Sequence, residues 1–209
     1  MAESTRRRSL SRASQTQVRE LYHEVTVISR RFRTSTWLVG QFIRVTAKDW
    51  HRVKNHILRI ERASFVHSIM GSEHSLTEAA SSPTAITLLV VVERCVQPAA
   101  YAMANKLEEF DDLPGAKDDL HQGHEDTMYL SSVAVAREWR KRGLGSALER
   151  EVITIAHNNG FPRITAHIRS SAHLDNHITK SVLHTFPNWY GTGEAFDYVE
   201  LDLKSHQHD

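Results

Sequence analysis

The chain has 209 residues, of which 40% are hydrophobic and 24% charged, a balance typical of a globular protein and not of a disordered chain or a fibrous repeat. The formal net charge of +1 hides a division, because residues 1–36 contain eight arginines and three acids whereas residues 37–209 contain 18 basic and 22 acidic residues. The length suits one domain with an appendage. We therefore expect a basic N-terminal extension over 1–36, flexible or helical from 17 to 33, and one domain over 37–209.

A single cysteine, Cys95, follows a strand-like run and cannot form an internal disulfide. We interpret it as a buried thiol in a reducing compartment and expect a cytoplasmic protein. The longest apolar stretch, residues 85–92, is too short to span a bilayer, so no membrane span is expected.

The first half of the domain shows both helical and strand periodicities. Val53, Ile57 and Ile60 recur close to every 3.6 residues, which predicts a helix over 48–63. Residues 85–92 are rich in β-branched side chains and predict a strand. The complete prediction for this half is a strand over 37–45, the helix over 48–63, a short helix over 72–82, the strand over 85–92 and its antiparallel partner over 99–107.

The second half begins with the acidic loop, residues 107–126, in which Pro114-Gly115 and Gly123 indicate turns. Loops of this length inside compact domains are often functional. After the loop the patterns predict strands over 128–135, 164–168 and 198–203 and helices over 144–157 and 176–186. This order of elements describes an α+β domain with one mixed, mostly antiparallel sheet.

A basic turn and two glycines open the second long helix. The first N–H groups of a helix have no partner within it and carry partial positive charge, so this end binds anions. Gly143 and Gly145 leave room for a diphosphate beside these groups. The preceding cations, Arg140, Lys141 and Arg142, add positive charge. The chain lacks the dinucleotide and P-loop glycine motifs, which disfavours those sites, although a solvated basic turn is an equally good explanation of these residues alone.

The motif Arg140-x-x-Gly143-x-Gly145, after a strand at 133–135, resembles the acyl-CoA-binding signature of the GNAT superfamily of N-acetyltransferases. The resemblance covers about residues 37–203. It is also carried by residues 42–46 with Asp49, by 60–65, by Gly160-Phe161 with 164–168, and by Asn176. One departure is Arg137, which stands where the family commonly has proline.

This resemblance implies a GNAT-like fold, in which helices flank a mixed, mostly antiparallel central sheet. Two strands of that sheet, 128–135 and 164–168, would splay apart and form the acetyl-CoA cleft. Acetyl-CoA is then the acyl-donor substrate, and no metal is expected. The residues that the resemblance implies for acetyl-CoA binding are Val133, Ala134, Val135, Arg140, Lys141, Arg142, Gly143, Leu144, Gly145, Ser146 and Asn176.

The resemblance is less specific about catalysis. His167 stands where peptide-acetylating relatives often carry a glutamate base, and an ordinary histidine pKa of about 6.5 suits a base at neutral pH. A histidine packed on a sheet face is the alternative. Further candidates that would act through water lie at the start of the strand entering the cleft, namely Glu125, Asp126 and Tyr129. Leu183 stands where relatives often have a tyrosine as thiolate acid, so the candidate acid is Tyr190 in the following turn or, alternatively, water.

The acidic loop would border the acceptor end of the cleft in such a fold. Its charge would concentrate a cationic amine there, although a run of charges is ordinarily a solvated surface. The eight acids are Glu108, Glu109, Asp111, Asp112, Asp118, Asp119, Glu125 and Asp126. His121-x-x-His124-Glu125-Asp126 raises a metal hypothesis, but no further ligand cluster supports it, and we expect no metal.

We therefore predict an acyltransferase that transfers the acetyl group from acetyl-CoA directly to a primary amine. The acceptor, expected to be cationic, is a small amine, an arylalkylamine, a polyamine, a peptide N-terminus or a lysine. The alternative is a non-catalytic acyl-CoA-binding or interaction module whose basic arm contacts nucleic acid or acidic lipid, and the departure at Leu183 keeps it open. No nucleic-acid contact is expected outside residues 1–36, and the expected assembly is a monomer or a homodimer.

Overall fold

The computed structural model describes residues 31–34, 36–93, 95, 97–172 and 177–203. The strands are β1 (Arg31–Arg33), β2 (Val39–Val45), β3 (Ile86–Val92), β4 (Pro98–Lys106), β5 (Thr127–Val135), β6 (Arg163–Arg169), β7 (Ile178–Phe186) and β8 (Phe196–Leu203). The α-helices are α1 (Trp50–Ser64), α2 (Glu73–Ser81) and α3 (Leu144–Asn158). Short 3₁₀ turns lie at His67–Ile69, Leu107–Phe110, Arg137–Trp139 and Trp189–Gly191.

The eight strands form one open sheet in the order β1-β2-β3-β4-β5-β6-β8-β7. Neighbouring strands are antiparallel throughout, except that β5 and β6 are parallel and are connected through α3. A parallel connection needs a crossover element, which α3 supplies. The fold is therefore the predicted α+β architecture with a mixed, mostly antiparallel sheet.

The sheet is buried on both faces at its centre. Successive residues of a strand point to opposite faces, so Leu88 of β3 packs with Leu148 of α3, whereas its neighbour Leu89 belongs to the layer of Ile57 on α1. Leu76 brings α2 into the same layer as α1. Burial of each such side chain contributes about 1.5–3 kcal/mol, and the two layers fix α1 and α3 on opposite faces of the sheet.

A β-bulge in β5 lies at the point where β5 and β6 stop pairing. Ser131 has no partner in the ladder between β4 and β5, which marks the bulge. The pairing of β5 with β6 ends at Leu130 opposite Ala166, directly before it. A bulge bends its strand and increases the local twist. The later parts of β5 and β6, up to Val135 and Arg169, do not pair with each other in the part of the chain that the structure describes, and a gap opens between them.

Most predicted elements are confirmed with ends that differ by a few residues. The strands predicted over 37–45, 85–92, 99–107, 128–135, 164–168 and 198–203 correspond to β2, β3, β4, β5, β6 and β8. The helices predicted over 48–63, 72–82 and 144–157 correspond to α1, α2 and α3. The acidic loop contains turns but neither a strand nor an α-helix, as predicted.

The helix predicted over 176–186 is wrong. Ile178–Phe186 forms the strand β7, which pairs with β8 at the edge of the sheet. Its β-branched residues, including Ile178, Thr179 and Val182, favour a strand locally. Asn176, the first residue of the predicted helix, lies outside the described residues.

Of the two alternatives for residues 17–33, a flexible arm or a helix, the helix does not extend to the described end of this segment. Arg31–Arg33 is a strand paired with β2, and the ring of Phe32 stacks on Phe42 with centroids 4.2 Å apart. The rest of that prediction lies outside the described residues. Across the described ranges, no helix combines the length and apolar character that crossing a membrane requires.

Candidate active site

The turn before α3 provides the open space that the glycine motif predicts. Its backbone is left-handed at Lys141 (φ 58°) and Gly143 (φ 80°), and glycine accepts this conformation because it has no Cβ. A Cβ placed on Gly145 would meet only Val135, at 3.8 Å, so the space beside the first helical turn is open. The first N–H groups of the helix have no partners within it. These features fit a diphosphate.

Arg140 has a different environment from the one expected. Its Nε donates to the Val135 carbonyl at 3.0 Å, and one terminal nitrogen donates to the Ala63 carbonyl at 3.1 Å and to the Ser64 hydroxyl at 3.2 Å. The guanidinium therefore joins the end of α1 to the end of β5. Arg140 therefore positions the turn, and its guanidinium donates to these protein groups instead of pointing to the diphosphate space.

The other two cations of the turn are exposed. The guanidinium of Arg142 lies over the Trp139 ring, 5.1 Å from its centroid. The Arg142 carbonyl accepts a hydrogen bond of 3.1 Å from the hydroxyl of Thr36, which lies in the connection between β1 and β2. Lys141 and Arg142 are thus placed at the solvent side of the helix N-terminus, where phosphate oxygens can reach them.

Of the remaining residues expected to contact acetyl-CoA, all but Asn176 lie on β5 or in the first turn of α3. Val133 and Val135 lie on β5 beyond the bulge, where the strand no longer pairs with β6. The Ala134 side chain is buried in the core between them. Ser146 lies in the first turn of α3, whereas Asn176 is outside the described residues.

A cleft of about 490 Å³ lies at the gap between β5 and β6. Ser131 and Ser132 reach it from the bulge, and His167 reaches it from β6. Most of the remaining wall is apolar or aromatic; the aromatic members other than His167 are Phe65, Phe110, Tyr129, Trp189, Tyr190 and Phe196. Among the described residues that line the cleft, Glu61 is the only carboxylate.

His167 is packed among aromatic rings. It stacks on Trp189 and Tyr198, with centroid distances of 4.2 and 4.8 Å, and its Nδ1 is 2.8 Å from the Tyr129 hydroxyl. Burial lowers the pKa of His167 to about 4, against a smaller opposing effect of the Pro114 carbonyl. The ring is therefore neutral at neutral pH and is a weaker base than its place in the sequence suggests.

Tyr190 lies on the wall of the cleft in the turn Trp189–Gly191, and its ring makes an edge contact with Trp189 at 4.7 Å. Burial, with a contribution from Asp112, raises the pKa of the Tyr190 phenol, which keeps its proton at neutral pH. The turn His67–Ile69 lies against this turn and bounds the cleft. Leu183 lines a second cavity of about 680 Å³ and does not line the cleft.

Three polar side chains that the sequence reasoning did not single out form a buried chain to the cleft. Glu61 accepts hydrogen bonds from the Tyr101 hydroxyl and from the Gly71 N–H at 2.7 Å. The Tyr101 oxygen is 2.9 Å from the hydroxyl of Ser132, which lines the cleft. The available signal in the sequence was a carboxylate one helical turn after Ile57, on the apolar face of α1.

The acids of the acidic loop do not line the cleft. Glu125 pairs with Lys106 at 2.9 Å, and this hydrogen bond lowers the pKa of Glu125. The carboxylate of Asp119 accepts two hydrogen bonds of 2.9 Å from Arg163 and one of 2.6 Å from Tyr198. The structure therefore does not bring Glu125 together with His167, and the expected contact of loop acids with the acceptor does not follow from it.

The histidines of the acidic loop lie close to one carboxylate. One ligand atom from each of His121, His124 and Asp126 lies within 4.8 Å of the other two, and His121 Nδ1 is 3.0 Å from Asp126. His121 lines the second cavity and not the cleft. This group therefore stands apart from the gap between β5 and β6.

Comparison with known proteins places this fold and site in a class. Residues 50–177 match the model of the acetyltransferase (GNAT) family. The match covers more than half of the chain, and the chain belongs to the GNAT acetyltransferase family. It is an acyltransferase, and its fold binds acetyl-CoA or another acyl-CoA as a substrate. No curated protein matches the sequence.

Solved structures share the fold at low sequence identity. The ribosomal-protein-S18-alanine N-acetyltransferase of Escherichia coli is similar with a TM-score of 0.55 and 15% identity over 79% of this chain and 94% of that chain. The ribosomal-protein-alanine N-acetyltransferase of Brucella melitensis has a TM-score of 0.55 and 17% identity over 78% and 98%. The GphF GNAT-like decarboxylase in complex with isobutyryl-CoA has a TM-score of 0.54 and 11% identity over 78% and 98%.

Proposed function

We propose that this protein is an N-acetyltransferase that moves the acetyl group of acetyl-CoA directly to a primary amine carried by an apolar or aromatic group. The observation that carries the proposal is the arrangement along β5. Ser132 lines the cleft, Val133 and Val135 follow it beyond the bulge, and the glycine turn that fits a diphosphate comes next. One extended ligand can therefore reach from the phosphate end to the cleft.

The lining of the cleft supports the narrower choice of acceptor. Its wall is mainly aromatic and apolar, and the acids of the acidic loop lie elsewhere. A single ammonium group can bind over the faces of rings such as Trp189 and Tyr190. A polyamine would bring several charges into a wall that holds one carboxylate, Glu61, and burying unpaired charges is costly.

The transfer needs only positioning and proton movement. The amine nitrogen attacks the thioester carbonyl, a C–N bond forms, and the C–S bond breaks. One proton leaves the ammonium before attack, and a second leaves the tetrahedral intermediate as the thiolate becomes the thiol. We assign Tyr190 as the donor to the thiolate because it keeps its proton in the cleft. We assign His167 to orienting the acceptor beside Trp189, since a neutral ring with a low pKa is a weak base.

A panel of acceptors with acetyl-CoA tests this proposal through the release of free CoA thiol. We expect kcat/KM for 2-phenylethylamine to exceed that for spermidine by about tenfold or more, because only the former matches an apolar wall. Tyr190→Phe should lower kcat about tenfold or more. Glu78→Gln, a substitution of an exposed side chain on α2, is a control that should leave both the acceptor preference and kcat unchanged.

Two results would contradict the proposal in different ways. Preference for spermidine would reject the apolar acceptor but keep the acetyltransferase. Tight binding of acetyl-CoA by calorimetry with no turnover of any amine would favour the non-catalytic acyl-CoA-binding module.

A further inference from the structure

We propose that Glu61 is the terminal proton acceptor for the bound amine and that it acts through Tyr101 and Ser132, with Ser132 as the group that touches the substrate. The inference rests on the proposed acetyl transfer and adds the group that removes the proton from the ammonium. Neither the glycine motif nor the aromatic wall of the cleft supplies such a group.

The directions of the hydrogen bonds define a continuous path. The Glu61 carboxylate accepts the proton of the Tyr101 hydroxyl, so the Tyr101 oxygen is left to accept from the Ser132 hydroxyl 2.9 Å away. The Ser132 oxygen then has its lone pairs directed away from the bond that it donates. Because Ser132 lines the cleft, that oxygen can accept a proton from a group bound there.

The bulge in β5 places the entrance of this path. Ser131 is the extra residue, and its hydroxyl donates to the Met103 carbonyl at 3.1 Å. Ser132 is paired with Met103 in the sheet, next to the point where β6 separates from β5. The hydroxyl of Ser132 therefore lies at the junction of the cleft and the part of β5 proposed to hold the acyl donor.

The burial of Glu61 costs folding free energy, which suggests that the carboxylate has a function. Glu61 is 3% exposed and Tyr101 is fully buried, among apolar side chains of α1 and the sheet. Taking a carboxylate out of water costs several kcal/mol even when it is hydrogen-bonded. A hydrophobic residue at this position on the apolar face of α1 would avoid that cost, so the carboxylate is a candidate for function.

The groups around Glu61 favour its role as a proton acceptor. Burial raises its pKa, and the hydrogen bonds from Tyr101 and Gly71 oppose the shift without cancelling it. A carboxylate with a raised pKa is a stronger base at neutral pH. Leu76 and Ser75 of α2, which also line the cleft, are uncharged.

The charged groups of α2 are engaged elsewhere. Glu73 pairs with Lys54, and His74 pairs with Glu78. The titratable group that faces Glu61 from the sheet is Tyr101, whose pKa is raised by its burial and by Glu61 itself.

The proton balance of the step is complete. One proton moves from the substrate ammonium to the Ser132 oxygen as the Ser132 proton moves to Tyr101 and the Tyr101 proton moves to Glu61. The neutral amine then attacks the thioester. Tyr190 gives its proton to the CoA thiolate when the C–S bond breaks, and the second proton of the tetrahedral intermediate restores the Tyr190 phenol. Glu61 returns the first proton to water after the products leave.

The test compares pH–rate profiles of the full chain and of Ser132→Ala. With the path intact, the ammonium form of the substrate is productive, and kcat/KM should be nearly constant between about pH 7 and pH 9. In Ser132→Ala only the free amine reacts, so kcat/KM should fall about 1,000-fold at pH 7 and then rise about tenfold for each pH unit, up to the amine pKa of about 10. Ser132→Thr keeps the hydroxyl and should restore the flat profile.

Glu61→Gln and Tyr101→Phe test the inner part of the path and should give the same slope as Ser132→Ala. Both remove buried hydrogen bonds, so their thermal midpoints are measured alongside, and Ser132→Ala decides the question if either variant fails to fold. Glu73→Gln, an exposed carboxylate near α1, is the matched control and should keep the flat profile.

This design separates failure of the proton path from failure of the proposed function. If the full chain acetylates amines but Ser132→Ala keeps the same pH slope, the proton path is wrong and the acetyltransferase stands. If all variants lose activity equally at every pH, the three residues are structural and the inference is again wrong. Absence of turnover by the full chain would overturn the proposed function and the path with it.

Discussion

Glu61 and His167 both line the cleft, and burial shifts their pKa values in opposite senses. Removal from water disfavours the charged form of each, so the pKa of His167 falls to about 4 and the pKa of Glu61 rises. The consequence for proton transfer is that the histidine becomes a poorer base and the carboxylate a better one. The sequence alone cannot show this reversal, because each pKa shift depends on neighbours that are distant along the chain.

The pKa of His167 predicts how stability changes in acid. The folded value of about 4 lies below the ordinary value of 6.5, so the unfolded chain binds the proton more readily between these limits. The contribution of His167 to stability is complete above about pH 6.5 and is lost as the pH falls towards about 4. We expect His167→Gln to show a shallower decline of the thermal midpoint over this window than the unchanged chain.

His74→Gln is the control for this measurement, because His74 is an exposed histidine of α2. It should keep the steep decline of the unchanged chain. Equal slopes for His167→Gln and the unchanged chain would mean that His167 can be protonated in the folded state without cost.

Gly145 gives a direct test of the diphosphate space. A Cβ there meets only Val135 at 3.8 Å, so Gly145→Leu is compatible with the helix but fills the space beside its first turn. We expect calorimetry to show acetyl-CoA affinity reduced about tenfold or more, which corresponds to about 1.4 kcal/mol. Thr154→Leu, farther along α3, should leave the affinity unchanged. Full affinity in Gly145→Leu would place the diphosphate elsewhere.

At the scale of elements, the strands and helices with regular apolar periods could be predicted, whereas the edge strand β7 could not. The central strand β3 is a continuous apolar run, and α3 has apolar residues at helical spacing, so both are evident locally. β7 is largely exposed, and its apolar residues Ile178, Val182 and Phe186 recur every four residues as in a helix, so only pairing with β8 defines it as a strand. In that segment the β-branched residues were the local indication of a strand, and the helix prediction did not follow them.

The strand β1 suggests an earlier start of the domain than the predicted residue 37. Phe32 stacks on Phe42, and its ring occupies the space that a side chain on Gly40 would need. We expect a chain that starts at residue 31 to keep the thermal midpoint of the full chain. A chain that starts at residue 37 should melt several degrees lower, because loss of an aromatic contact of about 1–3 kcal/mol lowers the midpoint by about 2–4 °C per kcal/mol.

Phe32→Ala in the full chain is the companion variant and should reproduce most of that decrease. Equal midpoints for the two shortened chains would show that β1 adds nothing to the domain and would support the boundary at residue 37.

At the scale of the whole molecule, the two ends of the site differ in how far the sequence could predict them. The phosphate end is one short segment, in which Gly143 and Gly145 lie next to the cations, and a local motif is enough. The acceptor end is assembled from α1, β4, β5, β6 and the turn Trp189–Gly191. Its chemistry depends on which side chains the fold brings together, and for that reason Glu61, Tyr101 and Ser132 were not predicted.

The acidic loop is attached firmly to the sheet on its inner side. Asp119 is held by Arg163 of β6 and Tyr198 of β8, and a Cβ on Gly115 would lie 3.2–3.3 Å from Tyr198 and His167. Phe110 and Leu113 of the same loop line the cleft, so this wall has little freedom to retreat from a bulky ligand. Adaptation of the protein to acceptors of different sizes should therefore fall to the wall formed by Phe65 and residues 68–71, which makes that segment the place to look for changes in substrate range among engineered variants.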